Sequence, residues 1–248
     1  MTPARFRTAS LSRVGGRERN EDACGYRLGA AGGVWVVADG LGGHVGGEHA
    51  AQLAVATLIG ILGDAPARSS ADLARAIDET QQALVAAQTA SDPADATGKT
   101  TVVVLSSDGE HALWAHVGDS RLYQFRGGAV LTQTRDHSVP QVLASAGDIP
   151  VGAIRGDEDR NRLLRCLGGD GTARPSVTEG PVLLGAGDVF LLCSDGFWEP
   201  VTEEDMMATL ATASRPEIWL EEMEQGLTVR VGPDHDNYTA LAVFVGPP

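Results

Sequence analysis

In a recurring pattern of the sequence, a short segment ends at an aspartate next to glycine or asparagine. The four copies are Val36–Gly40, His116–Asp119, Leu191–Gly196 and Asp234–Asn237, and their terminal acids are Asp39, Asp119, Asp195 and Asp236. A strand fixes where its last carboxylate points, and glycine lets a ligand or a backbone carbonyl approach closely. Carboxylates that converge repel one another and need a hard, oxygen-preferring cation to compensate their charge. One copy alone is typical of a turn, but four in one chain predict a divalent metal site without yet naming a reaction.

Other catalytic patterns are excluded by their spacing. Gly98–Thr100 ends like a phosphate-binding P-loop, but Pro93 occupies the position of its first glycine and the segment leads into a strand. None of the three cysteines is followed by arginine six residues later, as a cysteine-based phosphatase would require. Gly118–Leu122 lacks the last glycine of a serine nucleophile elbow, and residues 157–168 lack the glycine and the glutamate of a calcium loop. No candidate for covalent catalysis remains.

Short β-branched stretches bounded by glycine or acidic residues predict the strands that would position these aspartates. They are Val34–Ala38, Thr100–Ser106, Ala112–Val117, Leu122–Phe125, Val130–Thr132, Val189–Cys193 and Ala240–Val245, with Gly127-Gly128 as a hairpin turn. Capping signals and helical spacing of apolar residues predict four helices. They are Gly47–Leu62, Ser69–Thr89, Glu203–Ala211 and Pro216–Gly226. Antiparallel meanders with paired helices between them favour an α+β sandwich over alternating βαβ units.

Composition limits what this chain can bind and where it works. It has 248 residues, of which 33 are acidic and 19 basic, and the net charge of −14 excludes a nucleic-acid partner. The longest apolar stretch, Ala50–Gly63, is too short to span a membrane. Three dispersed cysteines indicate reduced thiols and a cytoplasmic location. No repeat or linker divides the chain, so residues 1–248 are expected to form one domain, with a mobile surface flap over residues 141–165.

Seven short motifs follow one another along the chain. They are Arg17–Asp22, Asp39–His44, Thr100-Thr101, Gly118–Arg121, Asp136–Ser138, Ser194–Gly196 and Asp236–Thr239. Each is weak alone, but in this order and spacing they resemble the PPM, or type 2C, family of metal-dependent Ser/Thr protein phosphatases. The resemblance covers essentially the whole chain. It implies the family's fold, a four-layer αββα sandwich of two packed antiparallel sheets flanked by helical pairs.

The resemblance also implies a two-metal centre that holds Mn²⁺ or Mg²⁺. Asp39 matches the position that bridges both ions, and the carbonyl of Gly40 matches a ligand of one of them. Asp195 and Asp236 match ligands of the other ion. In this family, water placed between two divalent ions yields hydroxide at neutral pH, which attacks phosphorus in line while the ions neutralise the phosphoryl oxygens.

Five further residues match positions of the same family. Asp22, together with Glu21, matches acids that hold metal-bound water, and Asp119 matches a position that binds a third, looser ion. Arg17 matches the phosphate-binding arginine, whose planar fork suits two phosphate oxygens. His44 follows the glycine-rich loop at the position of a general acid for the leaving seryl or threonyl oxygen.

The expected function is therefore hydrolysis of phosphoserine and phosphothreonine in proteins, in opposition to a Ser/Thr kinase. Two departures from the family pattern are the lysine at position 99, where glycine is usual, and the variable flap, whose substrate contacts cannot be carried over. Because the chain stops at Pro248, a stand-alone enzyme of bacterial type is expected. We also expect it to be a monomer. Two alternatives stay open at this point: hydrolysis of another phosphoester by the same ions, and a non-catalytic relative that binds phosphoproteins.

Overall fold

The computed structural model describes residues 5–30, 32–42, 45–90 and 98–247 and contains two antiparallel β-sheets. The strands are β1 (Phe6–Arg13), β2 (Asp22–Gly29), β3 (Gly32–Leu41), β4 (Lys99–Thr100), β5 (Val102–Ser107), β6 (His111–Val117), β7 (Arg121–Arg126), β8 (Ala129–Gln133), β9 (Ser176–Val177), β10 (Val182–Leu183), β11 (Val189–Cys193) and β12 (Tyr238–Val245). One sheet has the order β1-β12-β11-β7-β8. The other has the order β10-β6-β5-β3-β2, with β4 paired to β3 and β9 paired to β6.

Helices connect and cover these sheets. They are α1 (Val45–Leu62), α2 (Ser70–Ala90), α3 (Val139–Ala146), α4 (Asp195–Trp198), α5 (Glu203–Leu210) and α6 (Pro216–Arg230), with a 3₁₀ helix at Val151–Gly156. No helix in the described ranges is long and apolar enough to cross a membrane.

Alternation of side chains along the central strands produces four layers. In β3, Val36 packs with the buried residues of α1 and α2, whereas Trp35 lies between the two sheets. In β11, Leu191 packs with Trp219 of α6, whereas Leu192 joins the cluster between the sheets. Successive side chains of a strand point to opposite faces, so each strand contributes to two cores. The predicted α+β fold, two packed antiparallel sheets with helices on the outer faces, is confirmed.

Local signals fix several boundaries where the sequence predicts them. The Thr202 hydroxyl accepts from the Asp205 amide at 3.2 Å and the Asp205 carboxylate accepts from the Thr202 amide at 2.9 Å, which is a capping box at the start of α5. Gly127 and Gly128 both have positive φ, as a two-residue hairpin between β7 and β8 requires.

The structure differs from the prediction in several elements: the short strands β9 and β10 and the short helix α4 were not predicted, and α6 continues past Gly226 to Arg230. Strands β1 and β2 were not predicted, because β1 is largely polar and β2 contains two glycines among charged residues. The predicted strand Thr100–Ser106 is interrupted at Thr101, whose amide donates to the Asp39 carbonyl at 2.8 Å. The flap contains most of α3 and the 3₁₀ helix, neither of which was predicted. Its mobility and the assignment of the whole chain to one domain stay predictions.

Candidate metal centre

The predicted aspartates meet at one edge where the two sheets pack together. Asp39 lies near the end of β3 and pairs in register with Asp22, the first residue of β2. Asp195 begins α4 directly after β11, and Asp236 precedes β12, the neighbour of β11. Four of the predicted aspartates line one pocket of about 620 Å³. The residues that line this pocket include Arg17, Glu21, Asp39, Gly40, Asp119, Asn161, Asp195 and Asp236.

Hydrogen bonds to the backbone of Asp39 fix the end of β3. The amide of Asp39 donates to the Thr101 hydroxyl at 3.1 Å, and the Thr100 hydroxyl donates to the Asp39 carbonyl at 2.8 Å. The Thr101 hydroxyl is also 2.7 Å from that of Ser120, which follows Asp119. The Thr100-Thr101 motif therefore joins the end of β3, which carries Asp39, to the turn that carries Asp119.

Glycine is required at two positions beside these acids. A Cβ on Gly40 would collide with the carbonyl oxygens of Gly47 and Glu21, so no larger residue fits there. Gly118 has φ +103, a conformation that glycine adopts readily and that turns the chain from β6 into Asp119. The glycines in the motifs thus permit the close backbone approach that brings the carboxylates together.

Asn237 links three segments of the site, and its role was not predicted. Its side-chain oxygen accepts from the Glu21 amide at 2.7 Å, and its side-chain nitrogen donates to the carbonyls of Val14 at 2.7 Å and Arg19 at 2.8 Å. The loop that carries Arg17 is therefore tied to the segment that carries Asp236. The motif Asp236–Thr239 held this residue, but nothing in the sequence indicated which backbone groups it would contact.

Burial and mutual repulsion oppose ionisation of the clustered acids. Burial raises the pKa of Asp39 well above its usual range, and the charge of Asp195 raises it further. The pKa of Asp119 is raised in the same way, by burial first and by Asp195 second. For Asp195 itself, burial raises the pKa and Asp236 adds repulsion. A bound cation would favour the charged forms that this environment disfavours.

Asp22, which is buried and pairs in register with Asp39, tests whether a cation fits. Burial, together with the charges of Asp195 and Asp236, raises the pKa of Asp22 to about 7, although a hydrogen bond from the Ser194 hydroxyl at 2.7 Å lowers it. The other carboxylate oxygen of Asp22 is buried and has no hydrogen-bond partner among the described residues. An unpaired buried carboxylate oxygen next to further acids is costly without a positive charge or an ordered water. The site therefore fits hard divalent cations.

No group of three or more His, Cys, Asp or Glu side chains within the described ranges forms a ready-made cation cage. A ligand set of carboxylate oxygens completed by backbone carbonyl and water oxygens is what Mg²⁺ and similar ions accept. The donor chemistry agrees with the prediction, and the ligation itself stays a prediction.

Two residues predicted to act on the substrate differ in what the structure shows. Arg17 lies at the pocket mouth with 56% of its side chain exposed, and its guanidinium donates to the Asp236 carboxylate at 2.8 Å. His44 lies outside the described residues. The flap contributes Asn161 and Leu163 to the same wall, a placement that its variable sequence could not indicate.

Comparison with known proteins identifies the family. A sequence model described as protein phosphatase 2C matches residues 12–227. The serine/threonine protein phosphatase PstP of Mycobacterium tuberculosis is 34% identical over 78% of this chain, and the match spans 36% of that protein, so the chain covers about a third of its length. The serine/threonine phosphatase stp of Listeria monocytogenes is 31% identical over 70% of this chain and 69% of that protein. The chain therefore belongs to the protein phosphatase 2C family.

A solved structure that contains metal ions shares the fold of this chain. It is described as the catalytic domain of serine threonine protein phosphatase PstP in complex with two manganese ions. It aligns with a TM-score of 0.81 and 32% identity, over 98% of this chain and 99% of that one. The family assignment made from the seven motifs is confirmed.

Proposed function

We propose that this protein is a metal-dependent phosphatase that hydrolyses phosphoserine and phosphothreonine in proteins. The observation that supports the proposal most strongly is the cluster of Asp39, Asp119, Asp195 and Asp236 around one pocket with Arg17 at its mouth. Acids whose pKa values are raised by one another are typical of functional sites, and a cation-binding cluster needs no nucleophilic side chain. The names of the matched relatives support the same substrate class.

The residues that would hold two divalent ions are Asp39, the Gly40 carbonyl, Asp195 and Asp236. Asp22 and Glu21 would accept hydrogen bonds from water in the ions' outer shell, and Asp119 would contribute to a third ion. When bound, such ions act as Lewis acids that lower the pKa of water and neutralise phosphoryl charge. Manganese is favoured over magnesium as the first ion to test, because the similar PstP structure contains two manganese ions.

Arg17 would bind the phosphoryl group. Its planar guanidinium can donate to two phosphate oxygens at once, and its position at the mouth leaves more than half of the side chain accessible. To do so it would exchange the Asp236 carboxylate for the phosphate. His44 would protonate the leaving oxygen, a role that rests on its place in the Asp39–His44 motif alone. Phosphorylated proteins, and the Ser/Thr kinase that produces them, would be the physiological partners.

The metal assignment predicts that activity and metal affinity fall together in Asp236→Asn. The change keeps the size of the side chain but removes a charge that would neutralise the ion. We expect turnover of phosphoserine and phosphothreonine peptides to fall by more than about 100-fold, beyond what loss of an outer-shell partner causes. Manganese affinity, measured by calorimetry, should weaken in parallel.

The matched control is Asp234→Asn, two residues away in the same loop and exposed. It should leave both quantities within twofold of the wild type. Peptide hydrolysis by the wild type should also stop in EDTA and return with added manganese. Turnover that persists under chelation would refute the metal-dependent mechanism, and full activity of Asp236→Asn at limiting manganese would refute this ligand set.

A further inference from the structure

A buried tryptophan connects the flap to the segments that carry two of the site aspartates. Trp198 ends α4, the helix that Asp195 begins, and it is buried. Its indole N–H donates to the backbone carbonyl of Asp119 at 3.0 Å. On one face of the ring lies the Arg121 guanidinium, 3.4 Å from the centroid, which is itself paired with the buried carboxylate of Asp136. The indole therefore has a fixed position relative to Asp119 and Asp195.

Arg155 of the flap occupies another position around the same indole. It lies in the 3₁₀ helix, and its guanidinium carbon is 5.3 Å from the Trp198 ring centroid. It donates to the carbonyls of Glu199 at 3.3 Å and Val201 at 3.1 Å, and to the Glu203 carboxylate at 2.6 Å. Only 18% of this side chain is exposed. Three hydrogen bonds and an aromatic contact hold the Arg155 side chain more strongly than an ordinary surface ion pair does.

The Glu203 carboxylate, which accepts from Arg155, also contacts residues in the body of the protein. The Glu203 carboxylate also accepts from the Tyr123 hydroxyl at 3.1 Å and lies 4.0 Å from the Arg121 guanidinium. Burial alone would raise the pKa of Glu203, but the charge and hydrogen bond of Arg155 lower it overall. Next to Arg155, Ile154 is buried in the core formed with α5 and α6. The flap is thus attached to the body by an apolar residue and a charged residue in succession.

The segment after this attachment reaches the pocket. Asn161 and Leu163 line the same wall as the aspartates. The Arg162 carbonyl, between these two residues, accepts from the Val139 amide at 3.0 Å, and the amide of Leu164, which follows them, donates to the His137 carbonyl at 2.7 Å. The pocket-lining part of the flap is therefore held on one side by Arg155 and by Arg160, whose guanidinium lies 3.1 Å from the Glu199 carboxylate, and on the other side by residues 137–139.

We propose that Arg155 is a positioning residue that fixes the register of the flap over the pocket, through Trp198 and Glu203, and thereby sets how a phosphorylated peptide is bound. The role in peptide binding rests on the proposed phosphatase function. The attachment itself does not, because it is a property of the folded chain. Arg155 touches neither the pocket nor the phosphate site, so its effect would act on peptide substrates through Asn161 and Leu163.

Hydrogen exchange of the full chain tests the attachment without any turnover. We compare the wild type with Arg155→Ala and Arg155→Lys and follow peptides that cover residues 156–165. The alanine variant should exchange these amides at least fivefold faster, while amides of β11 and β12 stay within twofold of the wild type. Lysine, a single point charge without the planar fork, should restore only part of the protection.

The matched control is Arg162→Ala, because the ion pair that this flap arginine forms within the described residues is with Asp159, inside the flap, at 2.9 Å, and 66% of its side chain is exposed. It should leave exchange of residues 156–165 within twofold of the wild type. Unchanged exchange in Arg155→Ala would overturn the attachment. Equal acceleration in the flap and in β11 and β12 would also overturn it, since Arg155 would then act on global stability only.

Kinetics separate positioning from general damage. Arg155→Ala should raise KM for a phosphothreonine peptide at least fivefold and leave kcat for p-nitrophenyl phosphate, which is too small to span the flap, within twofold. Equal losses on both substrates would overturn the role in peptide binding. If the wild type hydrolyses neither substrate, the proposed function fails, but the exchange result still decides whether Arg155 fixes the flap.

Discussion

At the scale of single residues, the site depends on polar side chains that do not themselves meet the substrate. Asn237 contacts the backbone on both sides of Arg17 through Val14 and Arg19, and it also accepts from the Glu21 amide. Because it is buried, these bonds are not replaced by water when the side chain is shortened. Its contribution to activity should therefore pass through the position of Arg17.

Replacing Asn237 with alanine tests this connection. Each neutral hydrogen bond contributes about 1 kcal/mol, so loosening the Arg17 loop should raise KM for a phosphopeptide roughly tenfold, equivalent to about 1.4 kcal/mol. In an Arg17→Ala background the same substitution should have no further effect on KM, because the route through Arg17 is already lost. Steady-state kinetics of the four proteins in this cycle measure the coupling. Additive effects of the two substitutions would contradict the connection.

At the scale of elements, the helices and strands that could be predicted best from the sequence are those with a local or periodic signal. The strand Val189–Cys193 was predicted with its observed bounds, and the capping residue of α5 was placed correctly, because apolar runs and caps depend on neighbouring residues. Strand β1 was missed because its pairing with β12 joins residues more than 200 positions apart, and its own pattern is largely polar. No local signal could indicate that partner.

The same distinction, between local signals and contacts of residues far apart in the sequence, explains which site residues could be predicted. The strand-end aspartates were found from their pattern, and the structure brings Asp39, Asp119, Asp195 and Asp236 to one pocket. Asn161 of the flap joins this wall through the contact of the flap with the body of the protein, which includes Arg155 on Trp198 and Arg160 on Glu199. That contact depends on side chains from three distant segments, so periodicity and spacing carry no trace of it.

Two neighbouring elements also place a pair of histidines where acid should destabilise the fold. His116 of β6 stacks on His137, with ring centroids 4.5 Å apart. Nδ1 of His137 accepts from the Gly118 amide at 3.2 Å and must therefore be unprotonated. Burial, with the nearby charges of His116 and Arg165, lowers the pKa of His137 to about 3. Protonation would break the bond to Gly118 and place charge in a buried site.

The sign of the effect follows from the lowered pKa. The unfolded chain takes up the proton near pH 6.5, whereas the folded protein resists it until about pH 3. Stability from His137 is therefore complete above pH 6.5 and is lost progressively as pH falls towards 3. In His137→Asn the amide oxygen replaces Nδ1 and position 137 no longer titrates. At pH 8 the free energy of unfolding of the variant should be about 1–3 kcal/mol lower than that of the wild type, because other contacts of the histidine are lost. This difference between the two proteins should narrow by pH 5.

Urea unfolding of the two proteins at pH 8, 6.5 and 5 measures that difference. Acidic groups elsewhere titrate alike in both proteins, so their contributions cancel in the comparison. A difference that is constant across this range would mean that His137 does not titrate between the two states, and the assignment of acid sensitivity to it would be wrong.

At the scale of the whole molecule, the net charge of −14 opposes the substrate that the site is proposed to bind. The site acids are a small part of the 33 acidic residues, so most of the negative field comes from the surface. Such a field acts over a distance of about 10 Å at 0.1 M salt and affects the rate of encounter more than the chemical step. Salt should therefore change kcat/KM and leave kcat unchanged.

A matched pair of phosphopeptides isolates this effect. Both carry the same phosphothreonine, one with glutamates and the other with arginines around it. Raising sodium chloride from about 20 to 200 mM screens repulsion in the first case and attraction in the second. We expect kcat/KM to rise for the acidic peptide and to fall for the basic one, while kcat stays within twofold for both. If both peptides respond in the same direction, salt acts on the protein or on its ions and not on encounter, and the surface charge has no part in substrate selection.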